Sequence, residues 1–121
     1  MKKILLIEDE KILGEMYQDK FNRAGFDVKL IDSVKKATEA VEKERFDLIL
    51  LDILLPEANG IQFLKKLREI PEASATPVVA FSNYDDPETK KQALKLGVKE
   101  YLIKTNYTPQ EIIKKIKEYL S

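Results

Sequence analysis

The chain lacks cysteine and histidine altogether. Without cysteine there is no disulfide framework, thiol nucleophile or thiolate metal site. Without histidine there is no imidazole base, no histidine metal ligand and no phosphohistidine. Glycine and proline are scarce, with 4 and 5 residues, which excludes collagenous, low-complexity and disordered classes. No charge of either sign is in surplus: Lys+Arg and Asp+Glu both count 21. Nothing in that balance drives attraction to a nucleic-acid backbone or an anionic lipid surface. Long hydrophobic runs are also missing. Ile4 to Ile7 follows Lys2 and Lys3, but it is too short for a signal segment and is followed by acids. Nothing else approaches membrane-spanning length. The expectation is cytoplasmic residence, with neither nucleic acid nor membrane as a direct partner. Any chemistry must run on carboxylates, hydroxyls, amines and backbone.

What is present is a foldable composition, 44% hydrophobic and 35% charged in 121 residues. That suits a single domain over residues 1–121, large enough to bury a core without covalent staples. Short apolar, β-branched runs alternate five times with longer stretches of helical period, the pattern of a parallel sheet covered on both faces. Strands are expected at Lys3 to Ile7, Asp27 to Ile31, Leu48 to Leu51, Val78 to Phe81 and Tyr101 to Ile103. The first helix runs from about Lys11 to Arg23 and stops at Gly25. Ser33 caps the second and Asn59 the third, which ends near Pro71; Asp86 and Pro87 open the fourth, which Gly97 ends. Thr108, Pro109 and Glu111 form a capping box that launches a final helix through Leu120. The predicted fold is a (βα)5 flavodoxin-like three-layer α/β sandwich with strand order 2-1-3-4-5.

In an open parallel sheet, ligands sit beyond the carboxyl ends of the strands, where strand order reverses. Strand one delivers Glu8 and Asp9 to that end, strand three Asp52, strand four Ser82 and Asn83, and strand five Lys104. Three carboxylates crowded on one rim repel unless one is protonated or a cation intervenes. Two carboxylates, a backbone carbonyl and waters suit magnesium, which often shares itself with a phosphate. Lys104 supplies compensating positive charge, and the Ser82 hydroxyl can donate to an incoming oxygen. Taken singly, Asp9 or Ser82 is as readily a loop or helix cap, and Lys104 a solvated surface lysine. Asp52 stands apart. It closes the apolar run Leu48 to Leu51, where an unpaired charge is costly and a purpose is expected.

These segments resemble the receiver domains of two-component response regulators. The resemblance lies in Ile4 to Glu10, in Leu50 to Pro56 with Asn59-Gly60, in Val78 to Ser82, and in Gly97 to Lys104. It implies Asp52 as phosphoacceptor, Asp9 and Glu8 as magnesium (or manganese) ligands together with Asp52, and Leu54 as donor of a backbone carbonyl to the metal. It also implies Lys104 and Ser82 as groups acting on the phosphoryl, and Ser82 and Tyr101 as the switch pair. The implied partners are a sensor histidine kinase or phosphotransfer protein as donor and a downstream protein target. The implied output face is helix four, strand five and helix five, on a monomer or weak dimer. Such a domain catalyses its own aspartyl phosphorylation and dephosphorylation.

Three positions depart from the family pattern: Thr105 where a proline often bears a cis bond, Asn83 beside the hydroxyl residue, and Glu8 in place of Asp. A cis bond before Thr105 would cost about 2.5–4 kcal/mol, so a trans bond and an altered loop are expected. Leu54 and Tyr84, flanking Asp52 and Ser82, are expected to screen water and slow acyl-phosphate hydrolysis. A flavodoxin-like electron carrier would need a phosphate loop where this chain has Glu8-Asp9-Glu10. A haloacid-dehalogenase-type phosphatase needs a second Asp where Leu54 stands, and no glycine-rich nucleotide loop is present. The remaining alternative is a receiver-like docking module that works without phosphorylation.

Overall fold

The computed structural model describes residues 1–55, 60–83 and 85–121. The elements run β1 (Lys3–Ile7), α1 (Lys11–Arg23), β2 (Asp27–Ile31), α2 (Val34–Lys43), β3 (Leu48–Asp52), α3 (Gly60–Glu69), β4 (Val78–Ser82), α4 (Pro87–Lys95), β5 (Glu100–Ile103) and α5 (Pro109–Leu120). The strands pair in parallel in the order β2-β1-β3-β4-β5, as expected. β3 and β4 each run one residue further than the apolar pattern suggested, so Asp52 and Ser82 end strands rather than begin loops. Central position explains the composition of these two strands. Every residue of β3 and β4 is buried, whereas β2 at the sheet edge alternates.

Helix boundaries follow local chemistry. Ser33 accepts from the Lys36 N–H, and Asp86 from the Glu88 N–H ahead of Pro87. Thr108 and Glu111 close a reciprocal capping box. Gly25 and Gly97 take φ of 98° and 86°, the left-handed geometry that ends α1 and α4. The expected cap Asn59 lies outside the described residues. After β5 the chain makes a short 3-10 turn, Lys104–Asn106, which the sequence reading missed. No peptide bond is cis among the described residues, in keeping with Thr105.

Alternation along the strands splits the core in two. Ile4, Leu6, Leu48, Leu50, Val79, Phe81 and Leu102 pack against Tyr17 and Phe21 of α1 and Ile112 and Ile116 of α5. Leu5, Ile7, Ile49, Leu51, Val78, Ala80 and Tyr101 face α2, α3 and α4. Continued one step, this period of two assigns Glu8, Asp52 and Lys104 to the α1/α5 side and Ser82 to the other.

Two packing features tie the second side together. Arg68 of α3 donates to the carbonyls of Ser74, Thr76 and Leu96 at 2.9, 3.0 and 2.9 Å, binding the β4 approach and the end of α4 to α3. Gly60 starts α3 hard against the end of β3. Its N–H donates to the Ile53 carbonyl at 2.8 Å, and a Cβ there would lie 2.9 Å from the Ile53 Cα. An exposed helical Gly→Ala change gains about 1 kcal/mol. Here backbone cannot yield cheaply, so Gly60→Ala should instead cost about 1–3 kcal/mol in urea unfolding.

Candidate functional site

β1 ends between β2 and β3, so the chain leaving β1 and the chain leaving β3 diverge at their carboxyl ends. Four charged side chains meet in that opening. Glu8, Asp9 and Asp52 each offer a carboxylate oxygen, all within 4.8 Å of one another. The Lys104 Nζ donates to Glu8 Oε2 at 2.7 Å and to Asp52 Oδ2 at 3.2 Å. Glu8, Asp52 and Lys104 are buried, with relative exposures of 1%, 4% and 8%, while Asp9 is half-buried at the mouth.

Backbone holds the remaining oxygens. The Leu54 N–H donates to Asp52 Oδ1 at 3.1 Å, and the Glu10 N–H to Glu8 Oε1 at 3.1 Å. The Leu54 side chain is 41% exposed beside Asp52. Ser82, fully buried, closes β4 in register with Ile103. The Tyr101 hydroxyl is buried and, among the described residues, has no hydrogen-bond partner of ordinary geometry. Burial raises its pKa, and the nearby Ser82 hydroxyl works against that. The expected sites thus gather at one rim, with Tyr101 and Ser82 on the opposite side of the sheet from Lys104. Tyr84 lies outside the described residues.

Electrostatics decides what this arrangement can hold. Desolvation pushes the Asp52 carboxyl up to about 7; Lys104 opposes the rise and Glu8 adds to it. Burial also tends to lower the Lys104 pKa, but the two acids outweigh it and the ammonium persists. One ammonium against three carboxylates leaves excess negative charge, and every available donor is oxygen. Such a set fits a hard divalent cation.

A profile of the response regulator receiver domain matches residues 4–117. The chain belongs to that family. That membership supports a phosphoacceptor role in two-component signalling. The receiver chain is 32% identical over 98% of its length to the alkaline phosphatase synthesis regulator PhoP of Bacillus subtilis, covering 48% of that protein. It spans about half the length of most curated relatives it matches, including CrdR of Helicobacter pylori, at 55%. Among solved structures it superposes on the chemotaxis response regulator CheY4 of Vibrio cholerae with TM-score 0.89, 25% identity and 98% coverage of both chains. TrrA of Thermotoga maritima, solved in complex with Mg(2+)-BeF, shares the fold at TM-score 0.85 and 20% identity, with 98% of this chain and 99% of that one covered. No described helix of the receiver is long and apolar enough to cross a membrane.

Asp52 makes stability depend on pH in a defined direction. Its folded pKa lies above the unfolded value, so the folded state favours the protonated form. Stability in metal-free buffer should fall between about pH 4 and pH 7, by on the order of 4 kcal/mol, and stay low above that. Urea unfolding of wild type and Asp52→Asn at pH 5 and pH 8 should show this loss only in wild type. Magnesium should restore stability at pH 8.

Proposed function

We propose that Asp52 is the phosphoacceptor, that magnesium (or manganese) binds between Asp9, Glu8 and Asp52 with help from the Leu54 carbonyl, and that the donor is a phosphohistidine on a sensor kinase or phosphotransfer protein. The supporting observation is the Lys104 ammonium bonded across Glu8 and Asp52 beside the acidic cluster. The bound metal would neutralise the carboxylates and the transferring oxygens. The chain's own residues do the rest. An oxygen of ionised Asp52 attacks phosphorus in line as the phosphorus–nitrogen bond of the donor breaks and the imidazole departs with the electron pair. Lys104 balances the charge on the phosphoryl oxygens, and the Leu54 N–H fixes the carboxylate plane.

The acyl phosphate then offers a dianionic acceptor at the rim. Ser82 and Lys104 turn toward it, drawing on the loops after β4 and β5. Tyr101, buried beneath with its hydroxyl near that of Ser82, is the side chain on β5 placed to follow a rearrangement of Ser82. The face made by α4, β5 and α5 carries the change to a downstream protein. On α4, Leu94 is 46% exposed among Lys90, Lys91 and Lys95. We take residues 1–121 as one receiver domain, monomeric or weakly dimeric. A docking module that is never phosphorylated is the less favoured reading, because it has no use for a lysine buried between two acids.

Incubation with acetyl phosphate and magnesium should add one phosphoryl group, seen by intact mass as a hydroxylamine-labile adduct. Asp52→Ala should take up none, and Lys104→Met should react about 100-fold more slowly or worse. An adduct retained in Asp52→Ala, or none in wild type, would reject the assignment.

A further inference from the structure

The polar rim on the α1/α5 side has an aromatic floor. The Lys104 Nζ lies 4.6 Å from the centroid of the Phe81 ring, and that ring is fully buried. Phe81 sits on β4 in register with Asp52 on one side and Leu102 on the other, so its side chain rises between the acceptor strand and the strand that carries Lys104. Tyr17 of α1 meets the same ring edge-on, with centroids 5.9 Å apart and planes at 74°. An ammonium within about 6 Å of an aromatic face is attracted by the ring quadrupole, most strongly where water is excluded.

We propose that Phe81 is a positioning residue for phosphoryl transfer, its ring seating the Lys104 ammonium when the carboxylates are engaged elsewhere; the inference rests on the phosphoacceptor reading above. The reason lies in competition. Glu8 and Asp52, which hold Lys104 at 2.7 and 3.2 Å, are the same acids that would ligate a divalent cation. A dication that takes their lone pairs also repels the ammonium. An aliphatic side chain at position 81 would offer the ammonium no such neutral seat. The ring is a neutral partner that a hard cation does not capture, so it keeps the ammonium beside Asp52, where the phosphoryl oxygens arrive. Tyr17 braces the ring from the helix side and fixes its tilt.

The test compares Phe81→Leu and Phe81→Tyr with Phe63→Leu, which makes the same truncation at a fully buried position in the other core layer. Proton–carbon spectra of lysine-labelled protein, recorded with magnesium, should place the Lys104 ε-methylene protons upfield of free lysine through the ring current. The shift should persist in Phe63→Leu and Phe81→Tyr and vanish in Phe81→Leu. The phosphorylation rate constant with acetyl phosphate at saturating magnesium should drop about 3- to 10-fold in Phe81→Leu and stay within about twofold of wild type in the other two. Lys104 protons at free-lysine positions in a wild type that is readily phosphorylated would overturn the seat alone, whether or not Phe81→Leu folds. Equal slowing in Phe81→Leu and Phe63→Leu would also overturn it. An upfield shift lost in Phe81→Leu, in a wild type that takes no phosphoryl group, would leave the ring contact standing and reject the phosphoacceptor reading.

Discussion

One ammonium shared between two buried carboxylates organises this molecule. Lys104 reaches Glu8 across 96 positions of sequence and Asp52 across 52, joining β5 to β1 and β3 at the rim of the sheet. Its side chain is 6% exposed, and those of Glu8 and Asp52 are 0% and 6%. Charges so far from water are tolerated only when paired and hydrogen-bonded, and here one positive charge serves more negative charge than it can balance. The imbalance is the functional feature. It leaves Asp52 reluctant to ionise in the bare protein and leaves the cluster ready for a divalent cation.

The rest of the fold serves to hold that imbalance in place. The fully buried strands β3 and β4 present Asp52 and Ser82 at fixed height on opposite sides of the sheet. Gly60 lets α3 begin against the backbone that follows Asp52, and Arg68 binds the far end of α3 to the end of α4. A phosphoryl group on Asp52, as proposed, would meet both layers at once: Lys104 and its aromatic floor toward α1 and α5, and Ser82 and Tyr101 toward α4.

The fold and the membership of the charge cluster were legible in the sequence because both rest on period and position. Five apolar runs of strand length set the sheet, and polar residues placed directly after them had to emerge at one edge. Other features depend on distances that no local pattern carries. Gly60 reads only as the residue after the Asn59 cap, yet it is required by a backbone contact with Ile53 rather than by a positive φ. Arg68 reads as an exposed cation in the last turn of a helix, yet it spends its donors on the carbonyls of Ser74, Thr76, Leu96 and Gly97. Phe81 reads as one more core hydrophobe. Only the packing of β4 between β3 and β5 brings its ring under Lys104. The 3-10 turn at Lys104–Asn106 has no strong propensity behind it and was missed for that reason.

Calorimetric titration of divalent cation into wild type, Asp9→Asn and Lys104→Met tests the central claim most directly, since the ammonium and the metal are held to compete for the same oxygens. Magnesium should bind wild type, bind Asp9→Asn far more weakly, and bind Lys104→Met several-fold more tightly. Affinity unchanged by Asp9→Asn, or unchanged or reduced in Lys104→Met, would contradict the account.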